Sequence, residues 1–536
     1  MPRTPLFRSL MTSLTKAIEM EISLSDIQIS RRKGLQIGTV SAMAAYLHAC
    51  ASTYSKSALT QQHTFDSSQD ITIVGGGAAG LSAAYYLKKS GIGSHVYEAT
   101  ERLGGRIYTQ YEFNSENMFC ERGGELVDTG HKEIQSLMGE LGLELQLLPD
   151  PVRIREAHFF DGQWHKNSEL IEAFRPLAKR IADDSSEFVV DGVFRMPTYK
   201  DPLSDRVKAL DMMTLKTYLD SASDICPKWI LEFIRVAYVG EYGLEAEEQS
   251  AINLVSLIDT ALSGEFKVFG ESDELFRIKG GNSMLIKGLT ESLTGQYSTS
   301  HELQSISRSL DGMFQLLFKA GNKIVEVKTR TCIICIPFTV LRGIKGIDAL
   351  GLSRQKLKAI RELGYGTNSK LMLGFKSRYW HESDKSFPAN DGALLSDLPF
   401  QGGWDTSRKQ DGVSGIFTNF MGGKIAETFT PKGLQKNLDD LNKAYPGIAA
   451  LYDTNKVVQV WASVPTAKGS YICPKPGQYT SLLGCLGEPE CEGQLLFAGE
   501  HTSEVSSGFM NGAVESGLRA ATSLISSIPH VKTKGA

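Results

Sequence analysis

Near residue 75 the sequence contains six residues with the glycine spacing of a phosphate-binding turn. Residues 75–80 read GGGAAG and have the form GxGxxG. A β-branched run, residues 71–74, precedes them, and a helical pattern, residues 81–90, follows, which is the strand–turn–helix context that this motif requires. The three glycines permit a tight turn, close approach to a pyrophosphate and close helix packing, and two alanines begin the helix whose N–H groups would face the phosphates. These residues are Gly75, Gly77, Gly80, Ala78 and Ala79.

An acid and an arginine–glycine cluster follow the second predicted strand, residues 94–97. Residues 98–106 have the form E-x(3)-R-x-G-G-R. The acid can accept hydrogen bonds from ribose hydroxyls, and the last arginine can form charge-assisted bonds to phosphate. The segment resembles the second FAD signature of glutathione-reductase-like flavoproteins, which implies FAD rather than NAD. The residues assigned to the cofactor here are Glu98, Ala99, Arg102, Gly105 and Arg106.

A second glycine-rich segment lies near the end of the chain. Residues 495–502 read LLFAGEHT, and residues 507–517 read SGFMNGAVESG. The pair resembles the C-terminal motif of the flavin amine oxidase family, which includes monoamine, polyamine and L-amino acid oxidases. The resemblance extends over residues 71–523 and implies that Glu500 lies near the ribityl chain. It also implies that a helix N-terminus stabilises negative charge on the flavin, with contacts from Gly508, Phe509 and Met510.

Further matches to the same family point to the reacting groups. Lys370 corresponds to the lysine that holds a water against flavin N5 in relatives, and Trp461 lies in a segment that resembles the one beside the flavin. The two aromatic residues that flank a substrate amine would be Tyr471 and Phe509, whose ring faces attract an amine nitrogen. Ser470 replaces the cysteine that carries the flavin covalently in mitochondrial monoamine oxidases, so we expect FAD to bind non-covalently.

Residues 123–128, GGELVD, bear on the choice of substrate. L-Amino acid oxidases often have an arginine near this stretch that binds the substrate carboxylate, whereas this chain has Glu125 and Asp128. Acids attract a cationic group and repel a carboxylate, so they favour an amine or polyamine; the alternative is that both bind backbone groups or face water. The cofactor is also expected to contact Gly123, Gly124, Glu125 and Leu126.

The resemblance therefore implies an FAD-dependent amine oxidase. A hydride would pass from the carbon of the C–N bond to flavin N5, giving an imine that water hydrolyses to a carbonyl compound and an amine or ammonia, while O2 becomes H2O2. An L-amino acid oxidase giving a 2-oxo acid is the first alternative, and a flavoenzyme like protoporphyrinogen oxidase or a carotene desaturase is the second. An FAD-binding interaction module without catalysis is a third. The sequence leaves the individual substrate, the use of an acceptor other than O2 and the oligomeric state open.

These residues require an α/β fold with two discontinuous domains. We predict a Rossmann-like FAD-binding domain of glutathione-reductase type from residues 70–130, 279–347 and 488–527. A mixed α+β substrate domain takes residues 131–278 and 348–487. Within its first piece, amphipathic patterns predict helices over residues 212–219 and 228–238.

Composition excludes several other classes. The formal net charge is -4, from 57 Lys+Arg against 61 Asp+Glu, so there is no basic excess for nucleic acid. The ten histidines show no HExxH-like spacing, and no metal is expected. Eight cysteines in 536 residues do not imply a disulfide framework. Cys332 and Cys335 are expected to be buried strand residues rather than a zinc or redox site, and Cys485 and Cys491 could form a bridge if the protein is exported.

The first 69 residues differ from the rest. Arg31 and Arg32 precede a weakly apolar run, residues 34–47, in a pattern similar to a twin-arginine (Tat) export signal. Residues 47–50, LHAC, resemble a lipoprotein cleavage box with Cys50 as the lipidated residue. We predict a signal over residues 1–50, a polar tether over 51–69, and a periplasmic or membrane-tethered location; a cytoplasmic protein with a basic tail is the alternative.

Overall fold

The computed structural model describes residues 71–150, 153–262, 266–382 and 386–527. Apart from residues 190–195, these belong to one compact unit. Its helices are α1 (Ala78–Lys89), α2 (Lys132–Glu140), α3 (Asn167–Ser186), α4 (Asp205–Met212), α5 (Leu215–Asp220), α6 (Lys228–Tyr242), α7 (Ile252–Leu257), α8 (Ser283–Ser292), α9 (Phe338–Leu341), α10 (Arg354–Glu362), α11 (Gly423–Glu427), α12 (Leu434–Ala444), α13 (Tyr479–Leu482) and α14 (Met510–Ser527).

The described strands lie between these helices, singly or in runs. They are β1 (Ile71–Val74), β2 (His95–Tyr97), β3 (Thr109–Gln110), β4 (Cys120–Glu121), β5 (Leu145–Leu147), β6 (Ile154–Phe160), β7 (Gln163–His165), β8 (Val189–Val190), β9 (Val193–Phe194), β10 (Phe276–Ile278), β11 (Tyr297–Ser298), β12 (Glu302–Arg308), β13 (Phe314–Ala320), β14 (Lys323–Thr329), β15 (Thr331–Ile334), β16 (Ser369–Phe375), β17 (Asn390–Ser396), β18 (Gly402–Asp405), β19 (Gly415–Met421), β20 (Tyr452–Val460) and β21 (Leu495–Phe497).

A parallel sheet of five strands carries the glycine-rich turn. Its order is β11–β2–β1–β15–β21, and every adjacent pair is parallel. β1 is buried along its whole length, as expected for a parallel strand covered on both faces. Helices α1 and α14 pack closely, since a Cβ added at Gly517 would lie 2.4 Å from the Ala79 carbonyl oxygen. The five strands lie within the three segments predicted for the FAD-binding domain, so distant parts of the chain build one sheet.

A mixed sheet of seven strands supplies the other side of the site. Its order is β20–β16–β19–β18–β17–β6–β7, and β6 pairs in parallel with β17 while the remaining pairs are antiparallel. β16 is hydrogen-bonded on both edges and all seven of its residues are buried. Lys370, the second residue of β16, pairs with Phe420 and Gln459. The lysine therefore emerges from the interior of a sheet rather than from its edge.

The region between residues 131 and 278 is mainly helical, with one difference from the sequence prediction. The helix predicted over residues 212–219 is present from Leu215 onward as α5, but Met213 and Thr214 are not helical, because α4 ends at Met212 and α5 begins at Leu215. Met213 has extended backbone angles, and the Thr214 hydroxyl caps α5 by accepting a bond from the Thr217 N–H. A threonine favours such a cap over a helix interior. The helix predicted over 228–238 is present and extends to Tyr242.

The cysteines of the described residues are all free thiols. Cys332 is buried in β15, and Cys335 follows that strand and is partly buried. The disulfide suggested between Cys485 and Cys491 is absent, since the thiol of Cys491 instead donates to the Leu350 carbonyl oxygen at 3.5 Å. None of the described helices has both the length and the apolar composition that a bilayer crossing needs. The predicted signal, the tether and Cys50 lie outside the described residues.

Candidate active site

The glycine-rich turn is shaped to admit a phosphate group. Gly75 has φ +106°, and a Cβ at Gly80 would lie 2.0 Å from the Gly75 carbonyl oxygen, so both positions require glycine. Gly77 faces Gly105 across the loop. A Cβ added at Gly77 would lie 4.0 Å from the Gly105 Cα, and one added at Gly105 would lie 3.4 Å from the Gly77 Cα. Helix α1 has no acidic residue in its first turn and no side-chain cap. The first turn of the helix therefore places no anion of its own against these N–H groups and the positive dipole end.

Glu98, the acid that follows β2, is hydrogen-bonded to the glycine-rich turn. The Glu98 carboxylate accepts bonds from the Gly76 N–H at 2.8 Å and the Thr100 N–H at 2.9 Å. Arg102 donates to the carbonyl oxygens of Leu103 and Ile107, both at 2.9 Å, so it shapes the loop that contains Gly105. Ala99, which the sequence also assigned to the cofactor, is partly buried beside Glu98.

Arg106 and Glu500 join the two sequence motifs. The Arg106 guanidinium lies 2.8 Å from Glu500 Oε1 and also donates to the Ser470 carbonyl oxygen. The other oxygen of Glu500 accepts the Gly508 N–H at 3.0 Å. Residues separated by 394 positions in the sequence thus meet in one charge-assisted contact.

Helix α14 begins beside a pair of glycines from the N-terminal half of the chain. A Cβ at Gly124 would lie 2.7 Å from Met510 Cγ, and one at Gly123 would lie 1.7 Å from the Arg106 carbonyl oxygen. Side chains are therefore excluded where this segment crosses the start of α14. The first turn of α14 has no acidic residue, like that of α1. Two such helix N-termini in one site fit the phosphates and the anionic ring edge of a flavin dinucleotide.

Lys370 is saturated by protein acceptors. Its amino group donates to the carbonyl oxygens of Glu121 and Gly123 at 3.2 and 2.8 Å, and to Glu125 Oε2 at 2.9 Å. The side chains of Lys370 and Glu125 are only 5% and 3% exposed. An ammonium group has three donors, and here all three bind the segment that runs from Glu121 to Glu125. Lys370 therefore fastens this segment to the seven-stranded sheet.

The charges around Lys370 are balanced within the protein. Burial would raise the pKa of Glu125, but Lys370 and Arg277 together hold it below its ordinary value. Burial raises the pKa of Glu121 to about 7, although its carboxylate accepts the Asn282 N–H and the Thr109 hydroxyl. Glu125 is thus anionic and Lys370 is its counter-ion, while Glu121 titrates near neutrality.

The three predicted aromatic residues lie around the same region. The Tyr471 hydroxyl donates to the Glu241 carbonyl oxygen at the end of α6, and a Cβ at Gly508 would lie 3.6 Å from the Tyr471 ring. The Phe509 ring centroid is 4.9 Å from that of His131. Trp461 donates from Nε1 to the Arg122 carbonyl oxygen at 3.0 Å, and it packs against Gly123.

The two acids proposed to contact substrate both have protein partners. Glu125 Oε2 binds Lys370, and its Oε1 accepts the Thr406 hydroxyl at 2.8 Å. Asp128 accepts the Ser272 hydroxyl at 2.8 Å and the Glu274 N–H at 3.0 Å, and it lies 3.5 Å from His131 Nε2. These contacts give both carboxylates a structural part, which is the alternative to a contact with substrate. Leu126 lies between them and is partly buried.

Four residues of the site were not identified from the sequence. Arg277 is fully buried and donates to the Thr406 and Arg408 carbonyl oxygens, while Asn282 Nδ2 donates to the Gly124 and Glu125 carbonyl oxygens at 2.9 and 2.8 Å. The Lys370 amino group lies 5.0 Å from the Trp404 ring centroid. The Thr406 hydroxyl donates to Glu125 Oε1. None of the four belongs to a motif with characteristic spacing. The one available signal was Arg277, because an arginine between apolar residues of a strand is rarely buried without a partner.

Ser470 lies beside the Arg106–Glu500 ion pair, since its carbonyl oxygen accepts a bond from Arg106. Its hydroxyl donates to Asn368 Oδ1 at 2.6 Å, and its N–H donates to the Gly366 carbonyl oxygen at 2.8 Å.

In the described part of the chain no group of three or more His, Cys, Asp or Glu side chains is arranged to hold a metal ion.

Comparison with known proteins identifies the family. The flavin-containing amine oxidoreductase family model matches residues 78–525. The flavin-dependent L-tryptophan oxidase RebO of Lentzea aerocolonigenes is 24% identical over 488 residues, covering 84% of this chain and 96% of RebO. Flavin-containing amine oxidase B of Bos taurus is 24% identical over 472 residues, covering 85% of this chain and 86% of that protein. The structure of cyclohexylamine oxidase from Brevibacterium oxydans IH-35A has the same mixed α/β fold, with a TM-score of 0.72 at 21% identity over 85% of this chain and 98% of the other. The chain belongs to the family of flavin-containing amine oxidoreductases.

Proposed function

We propose that the protein is an FAD-dependent oxidase of small amines. The observation that carries the proposal is the meeting of the two glycine-rich motifs at the Arg106–Glu500 ion pair, beside Lys370, Trp461 and the aromatic pair. A dinucleotide fits the turn at Gly77, and an isoalloxazine fits near the start of α14. When bound, FAD supplies hydride acceptance from the carbon of a C–N bond and electron transfer to O2.

The protein itself orients the substrate and excludes water. Tyr471 and Phe509 would flank the amine nitrogen with their ring faces. The Tyr471 ring is held by the bond from its hydroxyl to α6, and burial together with Glu241 raises its pKa well above the ordinary value. Tyr471 therefore stays a neutral phenol and is not a base. Lys370 and Asn282 donate to backbone carbonyl oxygens of the segment 121–125 and thereby hold it in place.

Non-covalent attachment of FAD is part of the proposal. A thioether to flavin needs a cysteine beside the ring, and position 470 carries a hydroxyl that is already bound to Asn368. The thiols in the described residues lie at other positions, and Cys473, three residues farther along, is fully buried in the protein core.

The charges of the site favour an amine over an amino acid. A substrate carboxylate would need a free cation. Arg106 binds Glu500, Arg277 donates to backbone carbonyls, and the Arg122 guanidinium lies over the Tyr108 ring, 4.7 Å from its centroid. Lys370 is neutralised by Glu125. L-Amino acid oxidation is the second candidate, because the L-tryptophan oxidase RebO matches 84% of this chain.

A peroxide-coupled screen of the purified protein tests the proposal. The panel should contain monoamines, diamines, polyamines and L-amino acids at equal concentration, with heat-inactivated protein as the control. We expect peroxide from amines and none from L-amino acids. Peroxide from L-amino acids alone would support the second candidate, and no peroxide from either class would contradict both.

A further inference from the structure

Asn368 is a buried residue immediately before β16, two positions before Lys370. Its side chain is fully enclosed, and both ends of the amide have partners in distant parts of the chain. Nδ2 donates to the Gly240 carbonyl oxygen at 2.6 Å, and Oδ1 accepts the Ser470 hydroxyl at 2.6 Å. One side chain thus joins three parts of the molecule: the strand that carries Lys370, the end of α6 and the segment that precedes Tyr471.

These contacts complete a closed ring of bonds that includes the Tyr471 side chain. The Tyr471 hydroxyl donates to the Glu241 carbonyl oxygen, and Glu241 follows Gly240 in α6. Since Ser470 immediately precedes Tyr471, three hydrogen bonds and two peptide bonds close the ring. Asn368 holds the residue before Glu241 and the residue before Tyr471. Both ends of the bond from the Tyr471 hydroxyl are therefore tied to one amide.

Two glycines make room for the Asn368 side chain. A Cβ added at Gly243 would lie 2.0 Å from Asn368 Oδ1, and one added at Gly366 would lie 2.8 Å from the same oxygen and 2.7 Å from Ser470 Oγ. The Gly366 N–H also donates to the Tyr471 carbonyl oxygen at 2.8 Å, so the backbone of Tyr471 is held from the same segment. The position of the amide is thus set by close packing as well as by its hydrogen bonds.

We propose that Asn368 is a positioning residue that, through Ser470 and the end of α6, orients the Tyr471 ring toward the substrate amine. The inference rests on the proposed amine oxidase function and gives the hydroxyl at position 470 a part in it. An aromatic ring attracts an ammonium group only where that group lies over its face, so a ring that can turn would bind the amine more weakly. A contact that is equally strong in the ground state and the transition state affects KM and leaves kcat nearly unchanged.

The test measures the binding of benzylamine to dithionite-reduced protein by calorimetry, which requires no turnover. Asn368→Asp keeps the size of the side chain and the bond from Ser470, but it replaces the donor to Gly240 with an oxygen. Ser470→Ala removes the other contact without introducing a charge, and it decides the question if Asn368→Asp does not fold. We expect each variant to raise Kd about fivefold, within the range of a weakened contact between an ammonium group and an aromatic face. With an oxidised amine, KM should rise by a larger factor than kcat falls.

Asn419→Asp is the matched control. Asn419 is also a buried amide, and it donates to the Phe400 and Gly402 carbonyl oxygens. It pairs with Leu371 rather than Lys370, so its side chain lies on the opposite face of the seven-stranded sheet. We expect Asn419→Asp to lower the free energy of unfolding without changing the Kd for benzylamine.

A double-mutant cycle with Tyr471→Phe distinguishes orientation of the ring from general support of the fold. Without the Tyr471 hydroxyl the ring is no longer tied to α6, so Asn368→Asp or Ser470→Ala should then change Kd by less than about twofold. Effects of equal size in both backgrounds, no effect in either, or no binding of benzylamine by the wild type would overturn the inference. If the coupled effect on Kd appears while no amine is oxidised, the oxidase proposal fails and the inference stands.

Discussion

At the scale of single residues, Lys370 is the clearest case of a charge that must be paired. A lysine inside a buried strand is costly unless its ammonium group has partners. Glu125 and two backbone carbonyls supply them. The resemblance implied a lysine that holds a water, whereas the three donors of Lys370 all bind the segment 121–125 and leave none for a water in this structure. Its removal should therefore affect both chemistry and stability.

We expect Lys370→Met to retain FAD, because the contacts around Gly77, Arg106 and Glu500 are unchanged. Reduction or reoxidation of the flavin should slow at least about tenfold, because the segment 121–125 loses the three contacts that position it in the site. The free energy of unfolding should fall by about 3–5 kcal/mol, because Glu125 is left as a buried charge without its cation. Stopped-flow spectroscopy of both half-reactions and chemical denaturation measure the two effects.

The double variant Lys370→Met/Glu125→Gln is the control for the stability effect. It removes both charges and should recover most of the lost stability without restoring the rates. Unchanged rates in the single variant would mean that Lys370 does not belong to the reaction site.

The hydroxyl at Ser470 leads to a prediction about the flavin linkage. Acid precipitation of the purified protein should release all of the yellow colour into the supernatant, since no thiol is available at that position. The absorbance of the supernatant and of the redissolved pellet gives the result. Colour that remains with the pellet would show a covalent bond.

At the scale of elements, two glycines of the β1–α1 turn have different roles: Gly80 is needed for folding and Gly77 for cofactor binding. Gly77→Ala should fold normally, because the glycine has φ -78° and a Cβ would meet only the Gly105 Cα at 4.0 Å. Its flavin content should nevertheless fall at least about tenfold, because the methyl group blocks the approach of the pyrophosphate. Gly80→Ala is the contrasting variant, since its Cβ would lie 2.0 Å from the Gly75 carbonyl oxygen, and it should lose soluble expression. Flavin absorbance per folded protein measures both; full occupancy in Gly77→Ala would contradict this placement.

Elements encoded by contiguous residues were predictable from the sequence, and contacts between distant segments were not. The β1–α1–β2 unit and the start of α14 follow from local spacing of glycines and apolar residues. Lys370 was also recognised, but its partner Glu125 lies 245 positions away. Glu241 meets Tyr471 across 230 positions. One sequence contains no signal for such pairs, because they meet only when separate parts of the chain pack against each other.

At the scale of the whole molecule, the N-terminal segment outside the described residues carries the prediction about location. Twin-arginine export recognises an arginine pair and carries folded, cofactor-loaded proteins, which suits an FAD enzyme. Replacing Arg31 and Arg32 with lysine should retain the protein in the cytoplasm, as measured by cell fractionation. Incorporation of a labelled lipid precursor into the protein would test whether Cys50 is lipidated. A native protein found in the cytosol with Met1 intact would contradict export.

The central claim is that this fold oxidises amines through a bound flavin. Anaerobic addition of a terminal diamine to the purified protein tests it most directly, with absorbance of the flavin as the measurement. We predict that the diamine bleaches the oxidised flavin spectrum and that admission of O2 restores it with formation of H2O2. The claim would be contradicted if dithionite bleached the flavin while no monoamine, diamine, polyamine or L-amino acid did so.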